Sequence, residues 1–470
     1  MPAPTYDELA RLVVEQAETI TRLKARIAEQ DARIAELERQ VTATSRNSSK
    51  PPSSDGLGKP VPRSLRTRSG RKPGGQPGHP GQTLAQTAMP DHVRRHEPVC
   101  CRGCGHDLAD AEQAGMTRRQ VFDLPPTRIQ VTEHQLISRR CPCGATTTAD
   151  APTGVTAPVQ YGPQIAAVIV YLYMGQYLSK NRTARAISEL FNTPVSEATV
   201  AAVTSRAGQD LEGFTDAVTD RLADADIVHF DETGFRVAGR LHWLHSASTD
   251  WWTLITCHHR RGHVAMDDAG ILPEFTGIAV HDAWAPYDTY TDATHALCNA
   301  HVLRELIAVT DYHHAHADPD TWCWAQQVID SLLNLKDLTE TGPIPVDPDQ
   351  FAEHRRRILH ASRIGATQSP PGKVGAKHAA LARRIDGRIA DYLRFATDPT
   401  VPFDNNAAER EIRMATLRQK ISGSMRTLTG ARHFAALRSY LATTTKHGIA
   451  NIDALADLAT GNPWMPPTTT

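Results

Sequence analysis

Apolar residues recur every seventh position at the start of the chain, in two rows that would share one face of a helix. One row is β-branched and the other is leucine: Val13, Ile20, Ile27, Ile34 and Val41, with Leu9, Leu23 and Leu37. This combination favours a two-stranded parallel coiled coil, in which polar Gln16 and Gln30 lower stability and fix the register. We therefore predict a helix over residues 1–43 that joins subunits into a homo-oligomer, most simply a dimer. The alternative is one amphipathic helix packed on its own domain.

The apolar positions of residues 158–215 follow helical spacing. The pattern predicts a long apolar helix over Ile165–Leu178, a second over Ala184–Phe191 and a third that begins at Ser196. A short turn that contains Pro194 separates the second helix from the third. Two short helices across such a turn indicate a helix-turn-helix that reads DNA, although many helix pairs of this kind only pack together.

Shorter apolar runs, typical of strands, follow this helical region. They cover residues 226–230, 241–245, 251–257 and 278–281, with a helical pattern over 264–275. The first run ends at Asp231 and the last ends at Asp282. A three-stranded meander followed by a helix and a further strand is the opening of a ribonuclease H-like fold, in which the first and fourth strands are neighbours. The pattern therefore predicts two carboxylates side by side at strand ends, although aspartate at a strand end also serves to form turns.

The composition is that of an ordinary modular protein. A length of 470 residues corresponds to about three domains. The net charge of −1 excludes a uniformly basic DNA-packaging protein and makes any nucleic-acid surface local. The longest apolar stretch, over residues 165–174, is shorter than the roughly 20 residues that span a bilayer, and no apolar signal segment opens the chain. We expect a cytosolic protein whose eight cysteines are thiols or metal ligands.

A segment rich in proline and glycine follows the N-terminal helix. NSSKPPSSDG (47–56) leads to GRKPGGQPGHPG (70–81), and neither predicts packed structure. Between residues 44 and 86, the chain carries eight basic residues and one acidic residue. A flexible cationic tether gains affinity for DNA by releasing condensed counterions. The residues that we expect to contact DNA here are Arg66, Arg68, Arg71 and Lys72; the alternative is a linker that its charge keeps solvated.

Two close pairs of cysteines flank an insert of hairpin length. They are Cys101 and Cys104, a CxxC pair, and Cys141 and Cys143, a tighter CPC pair. Four thiolates at such spacing are typical of a small zinc ribbon, in which zinc replaces a hydrophobic core. Other ligand types lie close by: Cys100, His96 and His106. A redox CxxC is the alternative, but the sequence lacks the βαβ pattern that it needs.

A third acid, Glu409, opens a strongly cationic helix. Asp404 or Asn405 can cap this helix, which places Glu409 in its first turn. Together with the two strand-end aspartates, Glu409 would complete a site for two magnesium ions. The alternative for Glu409 is an i,i+4 ion pair with Arg413. The basic residues of this region that we expect to contact DNA are Arg410, Arg413, Arg418, Lys420 and Arg426.

Several longer motifs follow one another along the chain. They are FDET around Asp231, HDAWAPY around Asp282, HALCNAHVLREL (295–306), DNNAAEREIR around Glu409 and KISGSMRTLTGARHFAALRSYLATTTKHG (420–448). NSSKPPSSDG and GGQPGHPG precede them, and GNPW (461–464) follows them. Together these motifs resemble the insertion-sequence 66 family of DDE transposases. Because the similarity covers most of the chain in a fixed order, chance matching does not explain it.

The resemblance implies roles for particular residues. It implies a catalytic triad that binds two Mg²⁺ or Mn²⁺ ions: Asp231, Asp282 and Glu409. It also implies a structural Zn²⁺ bound by Cys101, Cys104, Cys141 and Cys143, although the CPC pair departs from the family pattern and leaves the ligand set open. Cys298 and His301 resemble a CxxH pair of several DDE lineages. For that pair, metal binding, DNA contact, packing and hydrogen bonding all remain open.

We therefore expect a multidomain α+β chain. Its predicted parts are a coiled-coil oligomerisation helix (1–43), a basic linker (44–90), a zinc-finger-like segment (91–150), a helical domain (158–215), the first part of a ribonuclease H-like catalytic core (222–302), a helical insertion (303–400), the second part of the core with the third acid (401–450) and a C-terminal tail (451–470).

The resemblance also implies an activity. It is that of a transposase of the bacterial cytosol, associated with the nucleoid, which binds terminal inverted repeats and catalyses Mg²⁺-dependent DNA strand cleavage and strand transfer. Its partners would be transposon ends, target DNA and further copies of the chain, and small companion proteins of the same element are a further candidate. Two alternatives remain: a nuclease or resolvase that does not join strands, and a non-catalytic DNA-binding regulator.

Overall fold

The computed structural model describes residues 84–125, 129–316 and 321–467, and seven helical residues of the N-terminal segment. Those seven are Gln16, Glu18, Thr19, Ile20, Arg22, Arg26 and Gln30. Apart from these seven residues, the predicted coiled coil lies outside the described residues, and so does the basic linker up to residue 83. Both therefore stay predictions. Residue contacts divide the chain into two compact units, residues 61–132 with 190–192 and the remainder.

The smaller unit has an irregular backbone over its described residues. A bridge between Cys100 and Asp107 closes a short loop. The N–H of Thr87 donates a hydrogen bond of 2.8 Å to Oε1 of Gln120, which joins two separate stretches. None of the described side chains between residues 84 and 132 is buried. The segment therefore has no apolar core in its described part, as expected of a segment that a bound metal stabilises.

The larger unit contains a small hairpin followed by a helical region between residues 163 and 223. The hairpin consists of β1 (Ser138–Arg140) and β2 (Thr146–Thr148), and the helical region of α1 (Pro163–Val170), a π-helical turn (Tyr171–Gly175), α2 (Lys180–Phe191), α3 (Glu197–Gln209) and α4 (Glu212–Ala223). Ser196 caps α3 by accepting a hydrogen bond from the N–H of Thr199. α2 and α3 occupy the positions of the predicted helix-turn-helix, and DNA reading by this pair stays a prediction.

A mixed sheet forms the centre of the larger unit. In chain order its strands are β3 (Ile227–Val237), β4 (Arg240–Ser248), β5 (Thr253–His258), β6 (Ile278–His281) and β7 (Thr294–Leu297). Their order across the sheet is β5-β4-β3-β6-β7. β3, β4 and β5 form an antiparallel meander, whereas β6 runs parallel to both β3 and β7. The first and fourth strands are therefore neighbours, as the sequence predicts.

β3 is longer than the sequence predicts. It continues through Asp231 to Val237 as one arm of a hairpin with β4, so the expectation that the strand ends at Asp231 is wrong. The hairpin is possible because Ala238 and Gly239 have φ values of 49° and 78°, as a tight two-residue turn requires. Its tip is held by Met425, whose carbonyl oxygen accepts a hydrogen bond of 2.7 Å from the N–H of Ala238.

The segment between β5 and β6 is helical only in part. α5 (His263–Asp268) is followed by a 3₁₀ turn (Leu272–Glu274), so the single helix predicted over residues 264–275 is wrong. Gly270, with a φ of 74°, lies between the two and lets the chain turn where a side chain would be strained. A second 3₁₀ turn (Ala285–Thr289) connects β6 to β7.

A layer of helices separates β7 from the helix that carries Glu409. Its elements are α6 (Asn299–His316), α7 (Trp324–Thr341), α8 (Pro348–Thr367), α9 (Gly372–Gly387), α10 (Ile389–Leu393) and a 3₁₀ turn (Arg394–Ala396). Leu306, Leu332 and Ile358 belong to one buried apolar cluster that also includes Val280 of β6. The helices and the sheet thus share a core. Of the helices in the described part of the chain, none is both long and apolar enough to cross a membrane.

Three helices complete the larger unit: α11 (Asn406–Ser422), α12 (Leu428–Lys446) and α13 (Asn451–Ala459). α12 covers β5, an edge strand of the sheet. Ser439 Oγ accepts a hydrogen bond of 2.7 Å from the N–H of Ile255, and Thr443 Oγ1 accepts one of 3.1 Å from the N–H of Thr253. Because an edge strand leaves such donors without a strand partner, the two hydroxyls satisfy backbone groups that the sheet alone would leave unpaired.

Candidate active site and metal centres

Asp231 and Asp282 lie on neighbouring parallel strands at the same register. β3 and β6 pair residues whose numbers differ by 51, from Ile227 with Ile278 to His229 with Val280. The same difference relates 231 to 282. Oδ1 of Asp282 accepts a hydrogen bond of 3.0 Å from the N–H of Trp284, just beyond the strand end. The side-by-side placement of the two aspartates agrees with the sequence, although only Asp282 follows the end of its strand.

Glu409 lies in the first turn of α11, as predicted, and its side chain is 12% exposed. Oε2 accepts a hydrogen bond of 3.1 Å from Nη2 of Arg413, so the i,i+4 pair is present. Oε1 lies 3.6 Å from Nε2 of His301 and 3.8 Å from Nη2 of Arg304. This oxygen is buried and has no hydrogen-bond partner among the described residues. The ion pair therefore uses one carboxylate oxygen and leaves the other available.

The electrostatics of Asp231 link the three acids. Burial is the largest cause that raises its pKa well above the usual value, and the negative charges of Glu232, Asp282 and Glu409 raise it further. A carboxyl group surrounded in this way holds its proton because the ionised form would be both poorly solvated and repelled. A divalent cation would reverse that balance. Asp282 and Glu409 thus both lie within electrostatic range of Asp231.

The carboxylates suit a magnesium ion in their chemistry. Mg²⁺ prefers oxygen ligands, and Glu409, whose charge acts on Asp231, offers a buried oxygen without a hydrogen-bond partner among the described residues. Within the described parts of the chain, however, no three His, Cys, Asp or Glu side chains stand close enough together to hold a metal ion. The side chains therefore fit the ion by type and by environment without forming a closed ligand cage.

Glu232, the neighbour of Asp231, is held by partners of its own. Its Oε1 accepts hydrogen bonds from Nε and Nη2 of Arg261 at 3.0 and 2.6 Å, and its Oε2 accepts one of 2.8 Å from the hydroxyl of Tyr287. The guanidinium of Arg261 lies over the rings of Trp284 and Trp243, at 3.9 and 4.8 Å from their centroids. Both oxygens of Glu232 are thus engaged. The HDAWAPY motif signalled Trp284 and Tyr287, but nothing in the sequence pointed to Arg261.

The CxxH pair lies at the start of α6. Cys298 is buried, and its Sγ accepts a hydrogen bond of 3.1 Å from the N–H of Asn405. Burial raises the pKa of the Cys298 thiol to about 12. His301 lies one turn further along α6 and faces Glu409. The observed contacts of Cys298 and His301 are a hydrogen bond and a charge contact with the segment around Glu409.

Asn405, predicted only as a possible helix cap, makes other contacts in the structure. It occupies the position before α11, yet its side chain makes no capping bond. Instead, Nδ2 donates a hydrogen bond of 2.7 Å to the carbonyl oxygen of Phe230, and Oδ1 lies 2.8 Å from Nδ1 of His229. Asp404 forms the local turn, since its Oδ1 accepts a 3.0 Å bond from the N–H of Asn406. Sequence reasoning missed these long-range bonds.

The CxxC pair lies in a tight turn of the smaller unit. The N–H of Cys101 donates to the carbonyl oxygen of His106, and the N–H of Gly105 donates to that of Cys101, both at 2.8 Å. The backbone N–H groups of Gly103 and Cys104 and then the side chain of Cys104 lower the pKa of the Cys101 thiol. Backbone donors aimed at sulfur favour the thiolate, which is the form that binds zinc.

The CPC pair forms a similar turn in the larger unit, between β1 and β2. The N–H of Cys141 donates to the carbonyl oxygen of Ala145 at 2.8 Å, and the N–H of Gly144 donates to that of Cys141 at 2.9 Å. The N–H of Ala145 and then the side chain of Cys141 lower the pKa of the Cys143 thiol. The shorter spacing of this pair is therefore compatible with the backbone geometry that favours a thiolate.

The predicted DNA contacts of the C-terminal region fall into two groups. Four of them are exposed: Arg410, Arg413, Lys420 and Arg426. Arg418 is 2% exposed, and its guanidinium lies over the rings of Tyr173 and Phe434 at 5.6 and 5.2 Å from their centroids. The expectation that Arg418 contacts DNA is therefore wrong, because its cation faces the core. Arg66, Arg68, Arg71 and Lys72 lie outside the described residues.

Comparisons with known protein families identify the class and then the family. Residues 158–433 match the Transposase IS66 family, and residues 98–144 match the zinc-finger binding domain of transposase IS66. Residues 1–85 match a family of unknown function, DUF6444. A search of curated proteins finds no match. The chain is a transposase, whose partner is DNA.

More specifically, the chain belongs to the IS66 family of transposases, because the match covers more than half of its 470 residues. This confirms the resemblance stated from the sequence motifs. The zinc-finger match includes all four candidate ligands, Cys101, Cys104, Cys141 and Cys143, and supports a structural zinc ion.

Proposed function

We propose that the chain is a DDE-type transposase that binds the terminal inverted repeats of its own element and catalyses Mg²⁺-dependent DNA strand cleavage and strand transfer. The residues that would carry this chemistry are Asp231, Asp282 and Glu409. In this proposal the sheet is a ribonuclease H-like core, because a meander followed by two parallel strands beside its first strand has the order of that fold.

The observation that carries the proposal is the electrostatic coupling of three acids from distant parts of the chain. Burial is the largest cause that raises the pKa of Asp231 well above its usual value, followed by the charge of Glu232 and then by the charges of Asp282 and Glu409. Holding like charges close together in a poorly solvated place costs free energy unless a cation offsets it. The three acids come from two strands and a distant helix, and their mutual repulsion costs free energy. This arrangement favours a divalent-metal function over a purely structural one.

The side chains of the site would divide the work by position. Asp231 and Asp282 would hold a metal from the sheet, and Glu409 would hold it from α11. Two magnesium ions, when bound, lower the pKa of the attacking water and stabilise the departing 3′-oxygen. His301 and Arg304 lie 3.6 and 3.8 Å from Oε1 of Glu409 and would help to hold that carboxylate in place. No protein nucleophile is required.

DNA would lie along the exposed cations that follow Glu409. Arg410 and Arg413 are on the same helix as Glu409, so a phosphate bound by them is brought next to the third acid. Lys420 and Arg426 extend this cationic surface. The zinc segment and the basic linker would add contacts to the transposon end, and the N-terminal coiled coil would pair two subunits so that two ends are held together. A cytosolic, nucleoid-associated location follows from the same reading.

A matched pair of aspartate variants tests the proposal. Asp231→Asn removes one carboxylate of the triad, whereas Asp226→Asn makes the same change at an exposed position just before β3. The substrate is a duplex that carries the end of the element and its flanking DNA, incubated with Mg²⁺ or with chelator. We expect Asp231→Asn to abolish cleavage and to leave end binding nearly unchanged in a gel-shift assay. We expect Asp226→Asn to cleave like the wild type.

Three outcomes would contradict the proposal in different ways. Cleavage by Asp231→Asn at the wild-type rate would remove Asp231 from the chemistry. Cleavage without joining, when pre-cut ends are supplied, would favour a nuclease or resolvase. Tight end binding without cleavage by the wild type, at any Mg²⁺ concentration, would favour a DNA-binding regulator.

A further inference from the structure

Asn405 connects three separate elements through its polar atoms. Its side chain donates to the carbonyl oxygen of Phe230 on β3 (2.7 Å) and contacts Nδ1 of His229 on the same strand (2.8 Å). Its N–H donates to Sγ of Cys298 at the start of α6 (3.1 Å). Its carbonyl oxygen accepts a bond of 3.2 Å from the N–H of Glu409 in α11. Asn405 has no measurable solvent exposure.

The chemistry of these contacts fits an asparagine. Because Nδ2 donates to a carbonyl oxygen, the amide orientation is fixed and Oδ1 must accept, so His229 is protonated on Nδ1. Aspartate could accept from His229 but could not donate to the carbonyl oxygen of Phe230. Alanine would leave buried polar groups unpaired on both partners. The pattern of donors and acceptors around position 405 therefore specifies one side chain.

The contacts of Asn405 lie directly beside two of the acids, Asp231 and Glu409. His229 and Phe230 immediately precede Asp231, and the pairing of β3 with β6 ends at His229. Glu409 is one helical turn beyond Asn405, and its N–H bonds to the Asn405 carbonyl oxygen. One side chain thus links the strand of the first acid to the start of the helix of the third. α6, anchored by Cys298, brings His301 to the same carboxylate.

We propose that Asn405 is a positioning residue that fixes Glu409 relative to Asp231, with Cys298 as its second anchor. This inference rests on the proposed function, since it assumes that the acids bind metal together. Groups outside the ligand set that orient ligands typically change metal affinity about 10- to 100-fold when they are removed. Loss of the Asn405 side chain is therefore expected to weaken divalent-metal binding while both carboxylates remain.

Metal affinity separates this role from simple core packing. Mn²⁺ serves as the probe because its free form gives an electron paramagnetic resonance signal, which bound Mn²⁺ loses. We expect Asn405→Ala in the full-length, zinc-loaded protein to bind Mn²⁺ about 10- to 100-fold more weakly than the wild type. We also expect the Mg²⁺ concentration for half-maximal cleavage to rise by a similar factor, with much of the maximal rate recovered at saturating Mg²⁺.

Asn299 provides the matched control. Its side chain is as buried as that of Asn405, and its Nδ2 donates to the carbonyl oxygen of Tyr392 on α10 at 2.9 Å. Its backbone N–H, which alanine retains, donates to the carbonyl oxygen of Phe403 near Asn405, so the substitution removes only the bond to α10. Asn299→Ala is expected to lower the melting temperature without changing Mn²⁺ affinity. Equal losses of Mn²⁺ affinity in Asn299→Ala and Asn405→Ala would overturn the positioning role, because both would then reflect general loosening of the core.

Cys298 keeps the inference testable if Asn405→Ala does not fold. Cys298→Ser retains an atom that accepts a bond from the Asn405 N–H, whereas Cys298→Val is of similar size and removes the acceptor. We expect Ser to keep most of the Mn²⁺ affinity and Val to lose it. Equal affinity in Cys298→Ser and Cys298→Val would overturn the role of the anchor.

Asp231→Asn distinguishes a failure of the proposed metal site from a failure of the positioning role of Asn405. If the wild type and Asp231→Asn bind Mn²⁺ equally, the metal site fails, and the proposed function fails with it. If Asp231→Asn loses Mn²⁺ but Asn405→Ala binds it like the wild type, the proposed function stands and the positioning role alone is wrong.

Discussion

Asp231 and Asp282 stand two positions beyond the last hydrogen-bonded pair of β3 and β6, at the same register. β3 continues past this point, whereas the chain after Asp282 turns away at Ala283, which has a φ of 67°. A non-glycine residue in this left-handed region is strained, and such strain tends to occur at functional sites. The strained Ala283 directly follows Asp282, one of the proposed metal ligands.

The zinc assignment predicts a clear difference between neighbouring cysteines. We expect Cys104→Ser to lose most of the zinc, about one ion per chain, because a structural site needs four ligands. Cys100→Ser should keep it, since Cys100 lies outside the CxxC pair formed by Cys101 and Cys104. Metal content measured by mass spectrometry after gel filtration checks both variants. Full zinc content in Cys104→Ser would remove this residue from the ligand set.

The burial of Arg418 predicts that it acts on stability and not on DNA affinity. Arg418→Met keeps the apolar stem but loses the guanidinium that lies over Tyr173 and Phe434, and should lower the free energy of unfolding by about 1–3 kcal/mol. Arg426→Met changes an exposed cation and should weaken DNA binding with little effect on unfolding. Urea denaturation and gel-shift titrations test the pair, and reversed effects would restore Arg418 as a DNA contact.

The hydroxyls of α12 predict a cost at the sheet edge. Ser439→Ala and Thr443→Val each remove the acceptor of a buried N–H on β5. Each should lower the free energy of unfolding by about 1–3 kcal/mol, the cost of an unsatisfied buried donor. Thr445→Val is the control, because the Thr445 hydroxyl bonds to the carbonyl oxygen of Leu441 in α12 and to Oδ1 of Asn451 at the start of α13. A loss in Thr445→Val as large as in Thr443→Val would argue against edge protection.

His245 predicts a loss of stability in acid. Burial is the largest cause that lowers its pKa from 6.5 to about 4. The unfolded chain therefore binds a proton between these values when the folded chain does not, so stability falls as pH decreases from about 6.5 to about 4, by roughly 3 kcal/mol at most. His245→Leu should flatten this part of the curve, because it removes the group whose pKa differs between the folded and unfolded chain. Urea midpoints measured across this range provide the test.

Short sequence patterns predicted the structural features that depend on neighbouring residues, such as strand ends and helix starts. Asp282 and the start of α11 follow from an apolar run and a capping segment, and both lie where the sequence places them. The extension of β3 to Val237 does not follow, because residues 232–236 are mostly polar and are held by pairing with β4.

Side-chain contacts between distant segments escaped the sequence entirely. The bond from Asn405 to Phe230 joins positions 175 apart, and the contact of Arg418 with Tyr173 joins positions 245 apart. The sequence around a basic residue in a helix does not show whether its side chain faces solvent or the core. Arg418 is buried because α11 packs against Tyr173 in the π-helical turn and against Phe434 in α12.

The hydroxyls that cover β5 come late in the chain. Ser439 is synthesised 184 residues after Ile255, the residue whose N–H it covers. At roughly 5–20 residues per second, this separation corresponds to about 10–40 s of synthesis. Throughout that interval a nascent chain on the ribosome carries an apolar strand with open backbone donors, the kind of edge that invites aggregation. The yield of this protein in a cell therefore depends on chaperone protection of the half-made chain, and shortening it before residue 428 should send it into inclusion bodies.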